Sequence, residues 1–279
     1  KPALDEHLER ISTLSHAEQT EQLFDFRVAD IAMGSGHFLI AAIDHMENRF
    51  ALWLQHNPCP KIEREIKILR QSANKVLGDI DEKVTIGNRQ LLRRIIARRC
   101  IYGVDLNPFA VHLARLSIWI HTFVPGLPLS PIDHNLVTGN ALIGISSLDE
   151  VRKKFVDSAD TLNAINVETL LARAADPLKK LAKVSDASVK EILEGRALIN
   201  RARVKNKETE ALFDLITAQP IAKEPHLKNF QFKDWQQLKK DVHSSSALRQ
   251  ARKIIRSLSA IHFPIVFPEA FLGRTQGFN

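Results

Sequence analysis

The chain has 279 residues, 44% hydrophobic and 25% charged, an ordinary globular composition that allows one large domain or one domain with an appendage. No run approaches the roughly eighteen apolar residues of a membrane span, and no charged-then-apolar leader opens the chain. Two cysteines, Cys59 and Cys100, make neither a disulfide framework nor a four-ligand zinc site, which points to a reducing, cytoplasmic setting. The net charge of +7 is concentrated: residues 151–260 hold 22 Lys and Arg against 13 Asp and Glu, and the remainder holds 17 against 19. Such an excess suits a polyanionic partner or, equally, a solvated lysine-rich helical surface. Neither Lys1 nor the closing Gly277-Phe278-Asn279 reads as a natural terminus, so a fragment is expected.

Apolar residues at helical spacing (Leu4, Leu8, Ile11, Leu14) predict a helical lead-in over 1–25. Phe26 to Ala32 reads as a short buried strand, broken by Gly34-Ser35-Gly36. From His37 a helical pattern of Phe38, Leu39, Ala41, Ala42, Ile43, Met46 and Phe50 runs to Pro58 and Pro60. Further helices are predicted over Ile62–Leu77 and Asn88–Arg99, the latter feeding a strand at Ile101–Val104. Phe109–Phe123 is a strongly apolar helix, and Leu136-Val137 is a third strand turned by Gly139-Asn140. This alternation predicts a parallel sheet covered on both faces. Residues 149–260 read instead as polar, helix-forming sequence, and apolar character returns at 261–271.

Three segments carry chemistry. In Asp30-Ile31-Ala32-Met33-Gly34-Ser35-Gly36-His37-Phe38 a strand gives way to a helix through two glycines, which let a ligand lie against bare backbone. The third glycine of a dinucleotide fingerprint is replaced by Leu39, which weakens a pyrophosphate reading. In Ile101–Pro108, Asp105 at the strand's mouth can accept both ribose hydroxyls of a nucleoside; the alternative is a helix cap, a role that Asn107-Pro108 fits better. In Thr138–Gly144 a polar side chain past the third strand can reach an adenine edge, or the segment is an ordinary turn. The histidines (His37, His45, His112, His121) show no metal-ligand spacing.

Asp30–Leu39 resembles the first motif of the N6-adenine DNA methyltransferases of type IIG restriction–modification enzymes and their relatives, usually Asp-Pro-Ala-Cys-Gly-Ser-Gly followed by His or Asn and Phe-Leu; Ile31 and Met33 depart from it. Ile101–Pro108 with the following helix is similar to that family's second motif, and Gly139–Gly144 to its third. Phe263-Pro264 to Phe271, then Gly277-Phe278, resembles the lead-in to its catalytic Asn-Pro-Pro-Tyr loop. The resemblance implies an α/β fold: a Rossmann-like class I methyltransferase core at 26–148 (an incomplete parallel sheet with flanking helices), a basic helical insertion at 149–260, and a return to the core at 261–279. It implies S-adenosylmethionine as cofactor, with the Gly34–Gly36 loop against its methionine part, Asp105 on its ribose and Asn140 near its adenine. The site residues so implied are Asp30, Ala32, Met33, Gly34, Ser35, Gly36, His37 and Phe38, then Asp105 and Leu106, then Asn140, Ala141 and Leu142.

The implied activity is transfer of a methyl group to adenine N6 of double-stranded DNA, in a restriction–modification or phage-defence system, with nuclease or specificity domains in the same polypeptide. The chain contains no Asn-Pro-Pro-Tyr: its Asn-Pro pairs are Asn57-Pro58, followed by Cys59, and Asn107-Pro108, followed by Phe109. Cofactor binding without turnover is therefore expected. Methylation of a protein or RNA substrate, a nicotinamide-dependent oxidoreductase, and a binding module without catalysis are the alternatives. Phosphate contacts are expected from cations such as Arg152, Lys153, Lys154, Lys179, Lys180, Arg201, Arg203, Lys205, Lys239 and Lys240.

Overall fold

A computed structural model describes residues 2–78, 86–156, 175–181, 184–230, 245–271 and 277–279. They form two compact units, one of residues 1–138, 183–197 and 278–279, the other of residues 139–182 and 198–277.

In the first unit, β1 (Val28–Asp30), β2 (Ile101–Asp105) and β3 (Leu136–Thr138) form a parallel sheet in the order β1-β2-β3, with Val28 opposite Ile101 and Gly103 opposite Leu136. With helices before and between the strands, this is an α/β arrangement, helix-rich with a small sheet. Parallel neighbours cannot be joined by a tight turn. Helices α3 (His37–His56), α4 (Pro60–Leu77) and α5 (Asn88–Cys100) make the first crossover and α6 (Pro108–His121) begins the second; α1 (Pro2–Ser12) and α2 (His16–Gln22) precede the sheet. Strand β1 is shorter than the expected Phe26–Ala32. Phe26 follows directly on a 3-10 turn at Leu23–Asp25, and beyond Asp30 the chain bends because the Asp30 side chain accepts the Ala32 N–H at 3.0 Å.

Helix α3 buries Leu39, Ile43, Met46 and Phe50, one face at spacings of four, three and four, and α5 buries Leu91, Leu92, Ile95 and Ile96 in the same core. Helix α6 is rich in apolar residues, yet only Val111, Ala114 and Ile118 are buried; Phe109, Leu113, Leu116 and Ile120 stand exposed. The chain end closes on β1, where Asn279 donates its N–H to Arg27 O and accepts the Arg27 N–H on its side chain, and the Phe278 ring packs tilted against Tyr102 with centroids 5.2 Å apart.

The second unit is helical: α7 (Leu148–Val156), α8 (Ala175–Leu181), the second half of α9 (Val189–Lys205), α10 (Lys207–Ala218), α11 (Pro225–Lys228), α12 (Ser246–Ser257), α13 (Phe263–Val266) and α14 (Pro268–Phe271). Its core holds Ile145, Leu212, Phe213, Leu215, Leu248 and Ala251. The buried His262 ring accepts the Ile145 N–H on Nδ1 at 3.1 Å, which fixes the tautomer so that Nε2–H faces Asp214 Oδ1 at 3.1 Å. Among the described residues no helix is long and apolar enough to cross a membrane.

Among the described residues, one arginine–carboxylate pair is buried at both ends. Arg94 Nε donates to Asp186 at 2.9 Å, the Ser130 hydroxyl donates to the same carboxylate at 2.7 Å, and Arg98 holds Val184 O at 2.8 Å. These bonds fasten residues 184–187 to α5. Burial alone would raise the Asp186 carboxyl, but Arg98, Arg94 and the Ser130 hydroxyl outweigh it and hold it below its ordinary value. Asp186→Asn leaves a buried guanidinium without its counter-charge, and the expected loss is about 3–5 kcal/mol at neutral pH. The Asp186 contribution is complete above the unfolded carboxyl value of about 3.9 and is lost as pH falls through the lower folded value. Denaturant titrations of both proteins across pH should therefore show a gap that is constant near neutrality and closes on acidification.

Candidate functional site

The carboxyl ends of the three strands lie along one edge of the sheet, the edge at which open parallel sheets bind ligands. Past Asp30, the Met33 N–H reaches Val104 O at 3.1 Å and the Gly36 N–H reaches Met33 O at 2.8 Å. The Met33 side chain is buried against Gly103, where any Cβ would collide with its sulfur. Met33 thus anchors the turn and presents only backbone outward. Gly34 and Gly36 both lie in the left-handed region, at φ +54° and +85°, which penalises any residue with a Cβ. Their surroundings differ. A Cβ on Gly36 would stand 3.2 Å from the Ala114 Cβ, whereas one on Gly34 would meet nothing within 4 Å. Gly36 lets α3 close on α6, and Gly34 leaves an open strip of backbone.

Asp105 joins that strip to β2. Its Oδ2 accepts the Gly34 N–H at 2.9 Å across 71 residues of sequence, and its Oδ1 accepts the Asn107 N–H at 2.8 Å. A carboxylate has about four acceptor positions, so each oxygen retains capacity for another donor. Asn107 caps α6 by accepting the Phe109 N–H at 3.0 Å, with Pro108 at the first helical position; the capping role falls to Asn107 and leaves Asp105 half-buried at the mouth. Ile31, Phe38, Leu106 and Phe109 are each more than half exposed. Ala32 and His37 are also exposed, and Ser35 Oγ lies 2.8 Å from His37 Nδ1. The structure thus brings together Asp30, Ala32, Met33, Gly34, Ser35, Gly36, His37, Phe38, Asp105 and Leu106 in the first unit. Phe109 joins their chain neighbourhood without having been singled out by sequence, where it read as one more apolar position of its helix.

Asn140, Ala141 and Leu142 belong to the second unit. There the chain from Asn140 runs beside Ser259–Phe263: the Asn140 N–H bonds to Ser259 O at 2.7 Å, and Ile143 O and Ile145 O accept from Ile261 and Phe263. Gly139 and Gly144 permit the approach, because a Cβ on either would collide with Ile261. The Asn140 side chain accepts the Leu142 N–H at 3.1 Å, an Asx turn, and Leu142 is almost fully exposed. Among the described residues no group of three or more His, Cys, Asp or Glu side chains could hold a metal ion.

Of the cations expected to meet phosphate, Arg152 pairs with Asp149, Lys153 and Arg203 are exposed, and Lys180, Arg201 and Lys205 line one cavity of about 460 Å³. The side chains of Lys154 and Lys179, and all of Lys239 and Lys240, lie outside the described residues.

No family profile and no solved structure matches the chain. Over 190 residues it is 25% identical to a protein of Methanocaldococcus jannaschii provisionally named a type II restriction enzyme and methyltransferase, an alignment covering 63% of this chain and 13% of that protein. The chain thus spans about an eighth of that relative's length. The relationship it supports is to restriction–modification methyltransferases.

The two loop glycines make a graded test. Gly34→Ala carries only the left-handed backbone cost of about 1–2 kcal/mol. Gly36→Ala carries the same cost plus the compressed approach to Ala114, so its loss should be the larger of the two. Urea midpoints measure both, and equal losses would show that α3 does not depend on its approach to α6.

Proposed function

We propose that the chain is the cofactor-binding part of a DNA methyltransferase of the restriction–modification type, transferring a methyl group from S-adenosylmethionine to adenine N6 of duplex DNA, in a role such as phage defence. The observation that carries this reading is the Asp105 carboxylate fastened to the Gly34 N–H at the carboxyl edge of a parallel sheet. A nucleoside cofactor needs a bare stretch of backbone beside an acid with free acceptor positions, and the residues present fit both needs. The Gly34–Gly36 backbone would receive the methionine portion, Asp105 the ribose hydroxyls, and exposed Phe38 and Leu106 an apolar surface for the base. Asn140, assigned to the adenine by motif order, and Ala141 and Leu142 beside it are not needed for this reading.

When bound, S-adenosylmethionine supplies an electrophilic methyl group on sulfur. Transfer to an exocyclic amine needs the amine held in line and its lone pair freed by polar acceptors, with little acid–base catalysis. Within this chain Asn107 is committed to capping α6, and Asn57, the other residue of an Asn-Pro pair, donates its side-chain amide to Trp53 O at 3.0 Å. Neither is placed to hold an amine. The chain is therefore assigned binding and orientation of the cofactor without turnover by itself.

Calorimetric titration of S-adenosylmethionine into the natural polypeptide that carries this sequence, and into its Asp105→Ala variant, is the test. Losing charge-assisted hydrogen bonds worth about 1.5–3 kcal/mol weakens binding by about 10- to 150-fold. Unchanged affinity, or tighter binding of a nicotinamide dinucleotide than of S-adenosylmethionine, would sink the assignment.

A further inference from the structure

Helix α12 (Ser246–Ser257) contains no acidic residue, and four cations lie along it: Arg249, Arg252, Lys253 and Arg256. Its apolar side, Ala247, Leu248, Ala251 and Ile255, is buried in the second unit's core, and Ser245 caps its start by accepting the Leu248 N–H. Among the described residues, Arg252 alone of the four pairs with an acid, Asp214 of α10 at 3.6 Å. Arg249, Lys253 and Arg256 are exposed, and among the described residues none of the three has an ion-pair or hydrogen-bond partner. They stand four and seven residues apart on one helix face, about 6 and 10.5 Å along the axis.

Apart from Arg256, which sits favourably in the last turn, folding gains little from this arrangement. Like charges at i, i+4 repel, and Arg249 sits in the first turn, where the helix dipole disfavours a cation. The first unit shows how this protein treats an arginine that serves the fold: Arg94, Arg98 and Arg99 each bond to a carboxylate or carbonyl. We infer that the Arg249–Lys253–Arg256 face of α12 is a docking surface for the phosphate backbone of duplex DNA, each cation neutralising one phosphate. No aromatic residue lies in α12, so the surface confers affinity and position without base stacking or sequence preference. The inference rests on the reading of the chain as part of a DNA methyltransferase and names where in it the backbone is held.

The test measures binding of a random-sequence duplex by the natural polypeptide across a series of salt concentrations, for the wild type and for Arg249→Gln/Lys253→Gln/Arg256→Gln. Glutamine favours helix and leaves the buried face untouched, so circular dichroism and S-adenosylmethionine affinity should not change. The plot of log affinity against log salt should flatten by about 2.7, or about 0.9 for each phosphate no longer neutralised. The three single glutamine variants, each expected to flatten it by about 0.9, carry the test if the triple variant misfolds. DNA binding with an unaltered slope overturns the α12 surface and leaves the methyltransferase reading standing. Tighter binding of single-stranded RNA than of duplex DNA at equal salt overturns the choice of partner. If the wild type binds no DNA, the inference fails, while the Asp105→Ala titration still decides the cofactor site independently.

Discussion

The hydrogen bond from the Gly34 N–H to Asp105 fixes the end of one strand to the end of its neighbour, and the layout of the first unit follows from the need to bring those ends together. Parallel strands run in the same direction, so the chain must leave the carboxyl edge and return to the amino edge before it can pair again. Here the return is made by α3, α4 and α5, a crossover well beyond the minimum of a dozen residues. A long crossover adds little closure entropy, because that cost grows only as the logarithm of length, provided that its helices bury enough surface to be ordered. The buried stripe of α3 and the apolar residues of α5 supply that surface.

The turn tolerates two residues in left-handed conformation because both are glycines. Gly36 is held by its closeness to Ala114 of α6, and Met33 by its fit against Gly103 of β2. The turn is therefore gripped from the helix side and from the sheet side. Between those two grips Gly34 is left uncovered, with its N–H directed to a carboxylate and its Cα facing open space. The left-handed φ of +54° itself calls for glycine at this position, and the open space where a Cβ would stand leaves room for a ligand to lie against the backbone.

Much of this was legible in the sequence, because the signals are local. Periodicity marks α3, α4, α5 and α6 to within a few residues, and the strand–glycine–helix punctuation marks the turn. Asp105 and Asn107, both before Pro108, could be assigned different roles from capping chemistry alone. What was not legible depends on distant partners. Arg94 and Asp186 are 92 residues apart, and nothing near either announces the pair; read from composition, Asp186 belongs to a polar helical insertion, yet residues 183–197 belong with the sheet. Gly139 and Gly144 looked like part of a ligand motif, while their steric need is the approach of Ile261, over a hundred residues away. The Asn140 side chain, expected near a base, is engaged in its own turn.

The basic charge divides along the same line. Counting lysines and arginines located the excess in residues 151–260 but could not say which cations serve the fold. Burial and pairing can. A guanidinium that loses water must recover its hydrogen bonds from protein groups, so a folded-state role leaves a record in bonded carboxylates and carbonyls, as it does around Arg94 and Arg98. An exposed cation leaves no such record, and most exposed cations are simply solvated. The face of α12 differs from that default because its cations repeat on one side of a helix whose other side is core, with no acid in the helix to balance them. The helix fixes where those three side chains leave the backbone, about 6 and 10.5 Å apart along its axis, and such a repeat distinguishes a surface that can register a regular polyanion from one that only attracts it.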